Sequence, residues 1–502
     1  MPEQSTYRVI VVGAGFGGIG MALALQRAGI DDFLVVDGAD DLGGTWRDNT
    51  YPGAACDVPA TLYSYSFRPQ RWSRRFPSQP ETLAYLREVA AEHGLGPHLR
   101  FGSKVTAARF DEAQALWQVS IDGGATLQAN ALVSAVGQLN RPALPDIAGQ
   151  ADFAGPSWHS ARWDHSVDLA GKRVAVIGTG ASAIQFVPEV AKSAAHVDVY
   201  QRTAPYVLPK NDHPYSDAQQ DRYGRFPIVR KADRLGTFLY GEVLTSGFVL
   251  SPKVLAVPMW MWRRQLDQQI PDRALRERCV PDYVMGCKRV LFSNDWYPTL
   301  ARPNVDLVTD PIERIAADGV VAEGGGLRPA DVIIYGTGFK TLDFLAPMSI
   351  TGLHGRELHQ TWQDGAQAYL GVTVSGFPNF FMIYGPHTNL GGNSIIYMLE
   401  GEIGYALGGI QALDQHDLAW LDVRPDVQGS YNAWVTSASR TSVWESGCRS
   451  WYTTADGRNV NNWPDHTFLY RYRVRSFDLA KYRVMPRHPE PRDAERVGSE
   501  LA

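Results

Sequence analysis

The chain has 502 residues, of which 44% are hydrophobic and 20% charged, and its formal net charge is −5. That length accommodates roughly two to four domains with buried cores, and the short, scattered Lys/Arg clusters exclude the broad basic face that nucleic acid demands. Cys56, Cys279, Cys287 and Cys448 are widely spaced and form no CxxC pair. Neither a disulfide framework nor a metal site is expected, and a reducing, cytoplasmic setting is the default.

In chain order, the β-rich run Arg8 to Val12 leads into Gly13-Ala14-Gly15-Phe16-Gly17-Gly18. Such a turn between strand and helix suits a dinucleotide. Gly13 permits the tight turn, Gly15 lets backbone approach a pyrophosphate, and Gly18 lets the helix pack on the strand. The helix N-terminus then attracts the phosphate charge. Val9 to Leu25 is apolar enough to resemble a signal peptide or membrane span, but five glycines interrupt it, and strand, loop and helix account for it. No stable membrane association is expected.

Asp37 ends the apolar run Phe33 to Val36, nineteen residues after Gly18. Its carboxylate can accept hydrogen bonds from ribose hydroxyls, as FAD or NAD requires. This first nucleotide region is predicted to span residues 1–148, closing with the strand Ala131 to Val136 and a linker stiffened by Pro142 and Pro145.

A second apolar run, Arg173 to Ile177, precedes Gly178-Thr179-Gly180-Ala181-Ser182-Ala183, 165 residues beyond the first fingerprint. Nineteen residues after Ala183 stands Arg202, followed by Thr203. A cation and a hydroxyl at that position fit a 2′-phosphate, so the second nucleotide is expected to be NADPH. Residues 149–330 are assigned to it, with a helical insertion at about 210–300. Strands at Asp331 to Tyr335 and Phe380 to Tyr384 are expected to rejoin the first region, making 331–485 its second part. The tail 486–502 is expected to be flexible. The fold class is α/β, with two Rossmann-like dinucleotide-binding domains.

Between the fingerprints lie Gly43-Gly44-Thr45-Trp46, Tyr51-Pro52-Gly53-Ala54-Ala55-Cys56-Asp57, and Phe153-Ala154-Gly155-Pro156-Ser157-Trp158-His159-Ser160-Ala161-Arg162-Trp163-Asp164. Together they resemble the signatures of the type I Baeyer-Villiger monooxygenases, GGxWxxxxYPGxxxD and FxGxxxHxxxW followed by Pro or Asp, at every fixed position. The similarity extends through Gly286-Cys287-Lys288-Arg289, the strand up to Phe339 and the Gly385-Pro386 turn. It departs from the family pattern at Asp37, where Glu is common, and at Gly336-Thr337-Gly338, where relatives have Ala-Thr-Gly.

The resemblance implies a flavin monooxygenase in which NADPH reduces FAD, a C(4a)-peroxyflavin attacks a ketone, and a Criegee intermediate collapses to an ester or lactone. It implies that Arg289 stabilises the developing anions, a task suited to a permanently charged guanidinium, and that Asp57 fixes that arginine. Phe16, Gly44, Thr45, Trp46 and Tyr63 would line the flavin, and Val105 would meet adenine through its backbone. Ala55, Cys56 and Lys288 join Arg202 and Thr203 on the NADPH side. Phe153, Gly155, His159, Trp163 and Asp164 would form a hinge between the nucleotide domains, with His159 structural. Small apolar ketones and O2 are the implied partners, shaped by the helical insertion and the loops after Gly385; a monomer or small homo-oligomer is expected.

Three rivals were weighed. A disulfide reductase requires a reactive cysteine pair near the flavin, which the spacing does not supply. N- or S-oxygenation is the nearer alternative, although Trp163-Asp164 favours ketone oxidation. A non-catalytic nucleotide-binding protein is disfavoured by intact Asp57, Lys288 and Arg289.

Overall fold

In the computed structural model, which describes residues 6–448 and 450–488, the first sheet grows around the strand Thr6–Val12. Its Val9, Ile10 and Val11 are wholly buried. A strand apolar on both faces needs cover on both, which an inner place in a parallel sheet provides. Phe33–Val36 lies parallel to one edge and Thr126–Ser134 to the other. The sheet continues through antiparallel Leu116–Ile121 and Val105–Asp111 to Ser349–Thr351. Phe380–Met382 pairs in parallel with Thr126–Ser134, and the fingerprint helix Phe16–Arg27 packs against the long helix Ile395–Gln415.

The second sheet has five parallel strands in the order Val305–Val308, His196–Tyr200, Arg173–Ile177, Val332–Tyr335 and Ser157–His159. Two Rossmann-type α/β units are therefore present, as the two fingerprints imply. The helices Asp217–Arg225, Pro227–Val249, Ala256–Gln269 and Arg273–Arg278 are inserted between Val207–Leu208 and Leu291–Phe292, short strands that pair with each other.

Three expectations are corrected. Residues 331–335 do not rejoin the first sheet: Val332 pairs with Val174 and Tyr335 with Ile177, inside the second. An all-apolar strand fits the interior of either parallel sheet, so its sequence does not say which one it joins. The tail does not begin at 486, because Tyr482–Pro486 pairs antiparallel with Leu418–Val423 and Arg487 meets Asp414 at 3.0 Å; residues 489–502, where the rest of that expectation falls, lie outside the described residues. Finally, Cys287 and Cys448 are joined as a disulfide across 161 residues, with Cα atoms 6.3 Å apart. Loops bring them together, which spacing along the chain does not reveal.

The segments leaving the two sheets run antiparallel beside each other. Ala143 N–H donates to Gly338 O and Lys340 N–H to Arg141 O, each at 2.9 Å, and the Thr337 hydroxyl donates to Ala143 O at 2.6 Å. This double crossing ties the carboxyl ends of the parallel strands of the two sheets to one another, where ligands of such folds bind.

Candidate functional site

The two fingerprint turns open onto one cavity of about 1750 Å³. Gly13 takes φ +104° at the end of its strand, and a Cβ there would lie 2.6 Å from Ala135 O. Gly178 repeats the arrangement with φ +108° and a Cβ position 2.5 Å from Gly336 O. Only glycine fits either place. Gly15, Phe16, Thr179, Gly180, Ala181 and Ser182 line the cavity, whereas Gly18 and Ala183 do not. A Cβ on Gly18 would collide with Gly13 O, and Ala183 is fully buried. Both hold helix against strand, the task read for them from the motif.

Asp37 lines the same cavity, its carboxylate accepting from Ala14 N–H at 2.8 Å and Ala39 N–H at 2.9 Å. Arg47, whose role the sequence did not suggest, reaches Asp37 Oδ1 at 3.3 Å. The carboxylate therefore shapes the glycine turn while keeping lone pairs for a further donor. Gly44, Thr45, Trp46, Tyr63 and Val105 also face the cavity, and Trp46 Nε1–H donates to the Tyr63 hydroxyl at 3.1 Å.

The loop from Tyr51 to Asp57 is bound to the second fingerprint helix by Gln185. Its Oε1 accepts from the Tyr51 hydroxyl at 3.0 Å and from Ala55 N–H at 3.3 Å, and its Nε2 donates to Ala55 O at 3.0 Å. Gly53, with φ +79°, passes so close that a Cβ would lie 2.7 Å from Gln185 O. Cys56 is buried and its thiol is pushed far above its ordinary range by that burial. Asp57 at the loop's end accepts from Arg289 Nη2 at 2.5 Å. The negative charge of Asp57 outweighs the cost of burial and raises the arginine above its ordinary value, so Arg289 is a permanent cation at the cavity wall.

Lys288 lines the same cavity. Its ammonium sits 4.7 Å from the Tyr283 ring, and burial, then Arg202, lowers its pKa. Among the described residues, neither Lys288 nor exposed Arg202 has a carboxylate partner within ion-pair distance, and both line the cavity with Thr203. Two like charges kept close without a counterion suit an anion such as a phosphate.

The stretch Phe153 to Asp164 lies outside the cavity lining apart from Arg162. His159 is buried at the end of the edge strand Ser157–His159, accepts from Ala161 N–H through Nδ1 at 3.1 Å, and packs edge-on against Phe339 of the double crossing at 5.6 Å. Burial holds its imidazole below its ordinary pKa. Trp163 packs on Trp158 and Phe186. Gly155 allows close passage by Asp331 O, with the Phe153 ring beside it, and Asp164 caps a turn by accepting from Ser166.

The helices of the insertion contribute no lining residue among those described; only the stretch after them, Tyr283, Lys288, Arg289 and Leu291, does so. The expectation that the insertion at about 210–300 shapes the pocket therefore holds for its last part and not for its helices. The loops after Gly385 do contribute, through Asn389, Leu390 and Asn393, and Tyr384 joins them with its hydroxyl donating to Asn389 at 2.6 Å. Gln138 also lines the cavity, with Nε2 donating to Tyr384 O at 3.2 Å and Oε1 buried without a donor among the described residues. The Cys287–Cys448 pair does not line the cavity, so it is no redox pair facing a flavin.

Two glycine cradles, an acidic residue beside one, two unpaired cations beside the other, and an open acceptor at Gln138 fit FAD and NADPH side by side. The class is thus a two-dinucleotide flavoprotein. Residues 10–217 match the family model described as pyridine nucleotide-disulphide oxidoreductase. A Baeyer-Villiger monooxygenase of Pseudomonas aeruginosa is 42% identical over 480 residues, 95% of this chain and 91% of that one. The solved structure of an oxidised steroid monooxygenase bound to NADP superposes with TM-score 0.85 at 30% identity, covering 96% of this chain and 99% of that one. The OTEMO complex with FAD and NADP gives TM-score 0.85 at 26% identity, covering 96% and 100%.

The chain belongs to the Baeyer-Villiger monooxygenases. It is an FAD- and NADPH-dependent monooxygenase of the type that inserts one oxygen atom from O2 beside a ketone carbonyl to give an ester or lactone. Among the described residues no helix is long and apolar enough to cross a membrane.

Proposed function

We propose that the substrate is a small apolar ketone and that Arg289, held by Asp57, stabilises the charge that develops on it. The observation carrying this reading is the Arg289–Asp57 pair on the wall shared by both glycine cradles. FAD and NADPH, when bound, supply the electrons and the oxygen-transfer chemistry. The chain's residues divide the remaining work.

Gly13, Gly15 and the start of the helix Phe16–Arg27 receive the FAD pyrophosphate, Asp37 its ribose, and Trp46, Tyr63 and Val105 its rings. Gly178, Gly180 and Ser182 receive the NADPH pyrophosphate, and Arg202, Thr203 and Lys288 its 2′-phosphate. Arg289 faces the carbonyl oxygen as that oxygen gains negative charge; a preorganised cation there lowers the barrier without reorganising during the reaction. Phe339, Leu345, Met348, Leu390 and Trp451 supply apolar lining to the same cavity, which favours a ketone with little polar surface.

The test is a panel of linear and cyclic ketones, scored by NADPH consumption and product mass. A product heavier than its ketone by one oxygen atom, formed mole for mole with NADPH oxidised, is the expected outcome. Sulfoxides or N-oxides from offered sulfides and amines, with no ester from any ketone, would overturn the reading.

A further inference from the structure

We propose that the outer face of the inserted helices is a docking surface for an anionic lipid surface. Seventeen large hydrophobic side chains are exposed among the described residues, and ten of them fall between Phe226 and Trp260. That stretch has no part in lining the cavity. Along the helix Pro227–Val249, Ile228, Leu235, Leu239 and Val243 follow spacings of seven, four and four residues, and Leu250 follows seven residues later. Those spacings keep all five on one side of the helix. They are 72%, 56%, 53%, 56% and 65% exposed. Ala232 and Gly236, exposed on the same side, carry no charge either.

A contiguous apolar face of this kind marks a contact surface, and the charges around it choose the partner. Arg225, Lys231, Lys253 and Arg264 are exposed and, among the described residues, have no carboxylate within ion-pair distance. The acids between Phe226 and Arg264 are Asp233 and Glu242, and the exposed acids that border this stretch, Asp217, Asp221 and Asp267, each lie within ion-pair distance of an arginine, Arg71 for the first two and Arg263 and Arg276 for the third. Asp233 is engaged by the Thr61 hydroxyl and Arg75, and Glu242 is buried against Thr467 and Asn393. The face is therefore apolar with a rim of cations, on a chain whose overall charge is −5. A second copy docked across a two-fold axis would set this rim against itself, which like charges oppose. Anionic headgroups complement it while acyl chains take the apolar stripe, and Tyr240 and Trp260, 53% and 60% exposed, suit the boundary between them.

The inner side of the same helix reaches the site. Phe248 packs against Gly286, two residues before Lys288, and against Gly391 and Gly392, beside the loop that lines the cavity. A lipid surface seated on the outer side would lie one helix away from the loops that flank the cavity.

The experiment is flotation of the full-length, FAD-loaded protein with vesicles of phosphatidylcholine alone or with one quarter phosphatidylglycerol, beside sedimentation of the protein without lipid. The expected result is binding to the anionic vesicles, weakened by salt. Leu235→Ser/Leu239→Ser/Val243→Ser should bind at least about tenfold more weakly, and Lys231→Ala/Lys253→Ala/Arg264→Ala about fivefold more weakly per cation removed. Both variants should keep the parental rate of NADPH oxidation with a soluble ketone. No binding by the parent, or equal binding by parent and serine variant, overturns the proposal. So does a concentration-dependent dimer that the serine substitutions abolish, which would assign the face to a second copy.

Discussion

Arg289 Nη2 donates to Asp57 Oδ2 across 2.5 Å, joining the segment that follows the inserted helices to the loop that follows the first fingerprint. The guanidinium faces the cavity with 36% of its side-chain surface accessible, so it is anchored at one end and free to meet substrate at the other. Arg289→Ala should therefore retain FAD and NADPH yet form almost no ester. Loss of a preorganised donor at a developing oxyanion costs about 3–4 kcal/mol, a factor of several hundred. Residual NADPH consumption should emerge as hydrogen peroxide, measured by a peroxidase-coupled assay beside product mass. Near-parental ester formation by the variant would remove Arg289 from the mechanism.

If Asp57 acts through Arg289, as proposed from their hydrogen bond, its removal should be milder. Both side chains are partly open to solvent, and the pair is screened accordingly. Asp57→Ala should slow coupled turnover by roughly tenfold, a cost of about 1–2 kcal/mol. Asp57→Ala/Arg289→Ala should then be no slower than Arg289→Ala alone. Additive losses in the double variant would show that Asp57 works independently.

Arg202 and Lys288, which among the described residues have no carboxylate within ion-pair distance, are the residues proposed to choose the nucleotide. Arg202→Ala should raise the KM for NADPH by roughly ten- to a hundredfold, about 1.5–3 kcal/mol, and leave that for NADH almost unchanged. Steady-state kinetics with both nucleotides decide it. An equal change in both KM values would place Arg202 away from the 2′-phosphate.

The glycine turns and the Asp37/Arg202 contrast were legible because each obeys a local rule: a φ that only glycine tolerates, or a charge at a fixed distance along the chain. Gln185, Arg47, Tyr384 and Asn389 were not. Each becomes a site residue only when another part of the chain folds against it, as Gln185 does when the Tyr51 loop reaches it from 130 residues away. The strand Val332–Tyr335 failed for a related reason, since four buried apolar residues carry no address for one sheet over another. The insertion is legible as helical, but much of the aromatic and aliphatic surface of its helices faces outward, away from the cavity. Composition reports apolar area and not the direction it faces.

His159 tests the hinge reading. Its Nδ1 is taken by Ala161 N–H, and burial disfavours its charged form, so it is a poor proton carrier at neutral pH. His159→Gln should slow coupled turnover through the neighbouring crossing at Phe339 while leaving the shape of the pH–rate profile intact. Disappearance of a titration near neutrality in the variant would make His159 an acid-base residue instead.

Glu402 gives a pH dependence whose sign can be worked out. It sits wholly buried on the helix Ile395–Gln415, accepting from Tyr384 N–H at 2.6 Å and the Tyr470 hydroxyl at 3.3 Å. Burial pushes its carboxyl up to about 7. The unfolded chain, with a carboxyl near about 4.3, loses this proton first, so the folded state binds more protons between the two values. Stability from this group is full below about 4.3 and declines as pH rises to about 7, by about 4 kcal/mol in all. His387 opposes it. Burial lowers that imidazole to about 4, so the unfolded state binds the extra proton between about 4 and 6.5, and stability rises with pH across that range. Between about pH 4.5 and 6.5 the slopes of Glu402 and His387 therefore oppose each other, so the two together should move the parent's urea midpoint less than either would alone. Glu402→Gln mimics the protonated carboxyl and leaves His387 unopposed. Its midpoint should match the parent at about pH 4.5, climb with pH, and exceed the parent by up to about 4 kcal/mol of stability at about pH 8. A constant difference between variant and parent at every pH would mean that Glu402 does not change protonation on folding in this range.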